Sequence, residues 1–314
     1  MSAILTVALP LFAIIVAGYF GARAKLMNEA QAGALNRFVF MFAMPAAVFR
    51  FASTNPPPGP EAAPFALAYL LCVFSVMTAA FLIGRKLLKL RIREAGVHAL
   101  GSSLGNAVFL GLPIALSVDG WGGHYLILVL LEGVFVLAAG SALMTWPEDG
   151  GDAHPGRQIL DTLKRVGRNP IAMGTLIGFL CSVVGLVPSG PPERFLFYLG
   201  GAAGPAALFS LGVTLGQPRE APEAGARASI LSIVAAKLIA LPALFVGALL
   251  LLGATKSQIG AAALFTCMPM GVGVYVQASH FGIYTRRTAA ALTATTVLSV
   301  LTVSTVLYFL APAG

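Results

Sequence analysis

Gly105-Asn106-Ala107-Val108-Phe109-Leu110-Gly111-Leu112-Pro113 in the first half of the chain and Met268-Pro269-Met270-Gly271-Val272-Gly273-Val274-Tyr275-Val276-Gln277 in the second interrupt two long apolar stretches at their centres. Each stretch exceeds the roughly 20 residues needed to cross a hydrocarbon core. Each also carries helix-breaking Gly, Pro or Asn at the depth where a helix tolerates them least. Irregular backbone survives there only when it is buried in protein or lines a cavity, because an unpaired N–H or C=O in hydrocarbon costs several kcal/mol.

Working outward, the composition fits such a setting. Hydrophobic residues make up 58% of the 314, charged residues only 10%, and the mean hydropathy is +0.87, well beyond what a soluble core needs. Apolar segments run near residues 2–22, 35–53, 64–84, 96–118, 123–146, 170–188, 194–216, 228–252, 258–281 and 288–311. The expected fold is an all-α membrane protein of ten transmembrane helices. No cation precedes the first apolar run, and Arg23 and Lys25 follow it, so it reads as a retained helix and not as a signal peptide.

The net charge of +8 is distributed by loop. Arg23, Lys25 and Arg37, then Arg85 to Arg93, Arg157 to Arg168, Arg219 with Arg227, and Arg286 with Arg287 all fall on odd-numbered loops. Arg50, Arg194 and Lys256 are on the other side, and Lys237 lies within a segment. The positive-inside rule then puts both termini outside the cytoplasm of a bacterial inner membrane. Loop cations of this kind do not mark a nucleic-acid surface. Cys72, Cys181 and Cys267 sit inside apolar segments and read as small buried hydrophobes, with no metal or cofactor motif beside them.

Asn36-Arg37-Phe38-Val39-Phe40 resembles Glu193-Arg194-Phe195-Leu196-Phe197, and Pro45-Ala-Ala-Val-Phe49 matches Pro205-Ala-Ala-Leu-Phe209. Five segments per half is an odd number, so two such halves enter the membrane in opposite orientations, as an inverted repeat. The halves are residues 1–146 and 170–314. Between them, 147–169 reads as a polar turn followed by a short amphipathic helix, with Ile159, Leu160, Leu163 and Val166 on one face. Breaks at corresponding positions of two inverted halves point to the binding site of a secondary transporter. The spacings Gly101–Gly105, Gly174–Gly178 and Gly200–Gly204 suit close helix packing.

With these residues in view, the chain resembles bacterial members of the auxin efflux carrier family, related to the bile acid sodium symporters. The likeness runs through Leu9-Pro10, Asn36-Arg37-Phe38 to Pro45, Gly105-Asn106 to Gly111-Leu-Pro113, Lys237 before Pro242, and Pro269. It implies that segments four and nine unwind and cross around a site for small organic anions such as dicarboxylates or auxin-like acids. It also implies that segments 3–5 and 8–10 move past a panel of 1, 2, 6 and 7. Gly273 stands about where family members often have an asparagine, which leaves Asn106 without an equivalent partner.

Asn106 is positioned to give its amide to a carboxylate, or else to cap the following half-helix. Gly105, Gly271 and Gly273 open the backbone around it. Pro113 and Pro269 each remove an amide donor and are expected to force the breaks. Tyr275 and Gln277 follow the second break, lining the site or bonding between helices. Lys237 lies about nine residues, roughly 14 Å, from a segment end, where it either faces inward or snorkels. Glu132 is equally deep and is the expected coupling residue, a proton carrier or a partner of Lys237. Arg50, Asp119, His124 and His280 fall near segment ends and read as interfacial.

The resulting expectation is a carrier of mono- or dicarboxylates working by alternating access, proton-linked or uniport, in a lipid bilayer. It needs no cofactor and no nucleic acid, and a homodimer is compatible with it. Two alternatives stand beside it. One is a sodium-coupled symporter, and the other an intramembrane serine hydrolase built on Gly101-Ser-Ser103-Leu-Gly105.

Overall fold

The computed structural model describes residues 9–144, 146, 170–218, 222, 223 and 225–312. The expected amphipathic helix of 147–169 and both chain ends lie outside the described residues. Within them the chain is helical: α1 (Leu9–Arg23), α2 (Glu29–Thr54), α3 (Pro60–Lys86), α4 (Ile92–Ser103), α5 (Ala107–Leu116), α6 (Gly122–Met144), α7 (Pro170–Val183), α8 (Pro191–Gly216), α9 (Arg227–Leu251), α10 (Lys256–Thr266), α11 (Val272–His280) and α12 (Thr285–Leu310). Six of these, α2, α3, α6, α8, α9 and α12, are long and apolar enough to cross a membrane. Shorter apolar helices accompany them, and large apolar side chains face outward; Leu251 is 92% exposed. An outer surface of that kind is matched by lipid.

Local sequence sets the helix ends. Asn28 and Gln31 exchange side-chain and backbone bonds at the start of α2, and Thr255 and Gln258 do the same for α10, satisfying amides that have no partner in the first turn. Three prolines inside helices are accommodated in one way. Pro45, Pro113 and Pro242 each follow a wide π-helical turn, at Val39–Ala43, Ala107–Gly111 and Ala236–Ala240. The residue four before each proline, Met41, Phe109 or Leu238, is the centre of that turn. A proline ring clashes with the carbonyl four residues back, and the widened turn gives it room. A fourth π-turn, Glu132–Val136, has no such proline and carries Glu132 itself.

The helices pack as two groups. α1, α2, α7 and α8 lie on one another, while α3, α4, α6, α9, α10 and α12 form the second group. The Gly174–Gly178 spacing serves the first group: a Cβ on Gly174 would stand 2.8 Å from the Pro45 carbonyl oxygen, and one on Gly178 2.7 Å from that of Phe49. Between α4 and α5, and again between α10 and α11, the helix stops and restarts.

Candidate functional site

The two breaks meet. Gly105 and Met270 form an isolated antiparallel bridge, in which the Asn106 N–H donates to the Pro269 carbonyl at 2.8 Å and the Gly271 N–H to the Leu104 carbonyl at 3.0 Å. Side chains satisfy much of what remains. Gly105 N–H donates to Glu132 Oε1 at 3.0 Å, Met270 N–H to Thr295 Oγ1 at 3.2 Å, and Tyr125 Oη to the Ala107 carbonyl at 3.2 Å. Thr302 Oγ1 donates to the Cys267 carbonyl at 3.1 Å and Lys237 Nζ to the Thr266 carbonyl at 2.9 Å. Each bond removes a penalty that buried, unpaired backbone would carry.

Gly271 is needed for the approach of the two strands, since a Cβ there would stand 2.8 Å from the Gly105 oxygen. Gly105 separates two charges. Its N–H holds Glu132, while on its Cα side a methyl would stand 3.3 Å from Lys237 Nζ. Glu132 is 5% exposed and Lys237 fully buried. They attract each other across Gly105 without a direct ion pair; the ion pairs among the described residues are Arg50–Glu193 at 2.9 Å and Arg287–Glu223 at 3.1 Å. The buried Tyr69 hydroxyl is within electrostatic reach of Glu132.

A cavity of about 240 Å³ opens on this crossing. Gly105, Asn106, Glu132, Gly271, Gly273 and Gln277 line it, with apolar walls from Phe40, Val108, Phe109 and Leu137. Asn106 is 2% exposed, and its Nδ2 has no hydrogen-bond partner among the described residues. Its side chain does not cap α5. Two helices, α5 and α11, begin at the cavity wall, and their first amides carry the partial positive charge of a helix N-terminus. The set of donors suits an anion: an unpartnered amide, two helix starts, and an ammonium behind one glycine.

Four of the residues singled out from sequence stand outside the lining. Lys237 neither snorkels nor touches the cavity, being spent on the Thr266 carbonyl at the end of α10. Pro269 gives its carbonyl to Asn106, and Tyr275 packs against the core. Pro113 does not make the first break, which falls at Leu104–Asn106; it lies within α5, where the preceding π-turn absorbs it, and faces a separate cleft of about 530 Å³ with Arg50. Sequence reasoning missed Tyr69, Ser141 and the threonines. Thr295 and Thr302 are seven apart on α12, a two-turn spacing that puts both toward the break and was readable as such.

Ser103 of the Gly-x-Ser-x-Gly pattern is turned back onto the Ala99 carbonyl at 2.9 Å, as serines in helices commonly are, and offers no nucleophile. The profile of the family described as "Membrane transport protein" matches residues 3–307. The chain belongs to this family, the auxin efflux carriers. It is a membrane transporter and not an enzyme. This family member is 30% identical over 313 residues, 99% of its length and 97% of the relative's, to a protein of Rhizobium meliloti (strain 1021) described as "Putative malonate transporter". It is 28% identical over 208 residues, 64% of its length and 66% of the relative's, to an uncharacterized transporter of Methanocaldococcus jannaschii.

Proposed function

We propose that the protein is a secondary carrier of small mono- or dicarboxylates, with malonate among the substrates to test first, and that the anion binds where the two breaks meet. The observation that carries this reading is the buried Asn106 Nδ2, unpartnered among the described residues, on a residue that lines the cavity where two helices begin. An orphaned amide donor costs about 1–3 kcal/mol when left dry. A carboxylate oxygen satisfies it, and the starts of α5 and α11 share the charge. The volume, room for about eight waters, suits a three- or four-carbon acid.

In this reading the breaks belong to transmembrane segments four and nine of two inverted five-helix repeats, with both termini outside the cytoplasm of a bacterial inner membrane. The two packed groups of helices support alternating access in which the group that carries the site moves past a panel of α1, α2, α7 and α8. Glu132 lines the same cavity as the anion. Two negative charges within one small cavity repel strongly, so a proton on Glu132 accompanies the substrate. Lys237 balances Glu132 when that proton has left.

The test is counterflow in proteoliposomes with labelled mono- and dicarboxylates. Saturable exchange of a small carboxylate is expected. Exchange of none across an acetate-to-succinate series would overturn the reading, and non-saturable flux would indicate a channel.

A further inference from the structure

We infer that the cavity holds a second carboxylate contact at Gln277, oriented by Ser141, so that the carrier prefers short dicarboxylates to monocarboxylates. The inference rests on Asn106 as the first contact. Gln277 lines the same cavity from α11, and its Oε1 accepts from Ser141 Oγ of α6 at 3.3 Å. That bond engages the oxygen of the amide, so the two N–H donors of Nε2 are what the side chain can offer a ligand. Gln277 also follows Gly273 by four residues, so the two share one face of α11, and helical side chains lean toward the N-terminus. The Gln277 head is therefore carried back over Gly273, toward the crossing and Asn106.

Gly273 is the second observation. Unlike Gly271, it has no steric reason to be glycine, because an added Cβ would meet nothing within 4 Å. Packing therefore gives no reason for glycine at the second position of α11. What the missing side chain does provide is open volume in the cavity that Asn106 and Gln277 also line. A short diacid has a carboxylate at each end and can meet both amides at once, whereas acetate has one carboxylate and can meet only one of them. Among the described residues no Lys or Arg lines the cavity, so the far carboxylate depends on this amide.

The experiment uses the purified full chain in proteoliposomes, with malonate and acetate as competitors of labelled malonate counterflow. Gln277→Ala is expected to lower the malonate-over-acetate preference by about tenfold or more. Ser141→Ala should move that ratio in the same direction by less, and Ser141→Thr, which keeps the hydroxyl, should restore it. Asn106→Ala should weaken both acids together. Wild-type protein without a preference for malonate, or an unchanged ratio in Gln277→Ala and in Ser141→Ala, overturns the inference while leaving Asn106 in place. If Asn106→Ala weakens neither acid, the site itself is misplaced and this contact falls with it.

Discussion

Gly105 lies between Glu132 and Lys237 as a spacer with no side chain: its N–H bonds the carboxylate at 3.0 Å, and a methyl on its Cα would reach to 3.3 Å from the ammonium. The buried ammonium is fixed by the Thr266 carbonyl and by tight packing, so it yields only at a cost. Gly105→Ala should destabilise the protein by about 1–3 kcal/mol, the usual cost of overpacking, and Gly271→Ala by more, since it meets backbone. Gly273→Ala should be neutral or slightly stabilising. Melting temperatures of the three variants in detergent check the order. An equal loss at Gly273 would show that the cavity is closed.

Lys237→Met removes the group that holds the end of α10 and faces Glu132. A buried carboxylate and a buried carbonyl lose their partner, a change that typically costs about 3–5 kcal/mol for a charge left uncompensated. Transport should be abolished and the melting temperature lowered, and combining it with Glu132→Gln should recover part of the stability. No recovery in the double variant would show that the two charges act independently.

For Asn106 the expectation separates binding from folding. Because Nδ2 has no partner among the described residues, Asn106→Ala should leave the unliganded melting temperature unchanged or raised. Carboxylate affinity should fall by ~1–3 kcal/mol. Substrate-induced thermal shift measures both quantities in one titration. A large drop in the unliganded melting temperature would return Asn106 to a structural role.

The breaks were legible because glycine, proline and asparagine are improbable inside membrane helices without a reason, and both met where the sequence put them. Other features depend on packing that no local pattern encodes. Pro113 and Pro269 look alike in sequence, yet a π-turn absorbs the first within a helix while the second lies at a break. Lys237 and Glu132, which the sequence places in mid-segment, are both buried. Which backbone groups they hold became visible only once α6, α9 and the crossing were brought together. Tyr69 and Ser141 carried no signal, being ordinary residues of apolar helices until placed beside Glu132 and Gln277.

Orientation is open to a direct measurement. In a background lacking Cys72, Cys181 and Cys267, a cysteine replacing Ser2 or Gly314 should react with an impermeant thiol reagent added outside cells, and one replacing Asp161 should react only after permeabilisation. Reaction of all three from outside, or termini protected until lysis, would remove the positive-inside assignment and with it the inverted pairing of the halves.

On the proposed reading, coupling turns on Glu132. Between Gln258 and Tyr284 the chain has no Asp or Glu, and among the described residues no cluster of three His, Cys, Asp or Glu exists to hold a cation. A sodium site at the crossing would want such oxygen ligands. Glu132 instead stands alone on the cavity wall, bonded to the Gly105 N–H. Glutamine at 132 keeps an oxygen to accept that bond, so the crossing should stay intact, but it cannot exchange a proton. Glu132→Gln should therefore retain counterflow near the unmodified rate while losing accumulation driven by a pH gradient. The unmodified protein should respond to a pH gradient and not to a sodium gradient. Uptake that follows sodium at constant pH, or accumulation that persists in Glu132→Gln, would remove the proton from the mechanism and leave Glu132 as the group that fixes Gly105.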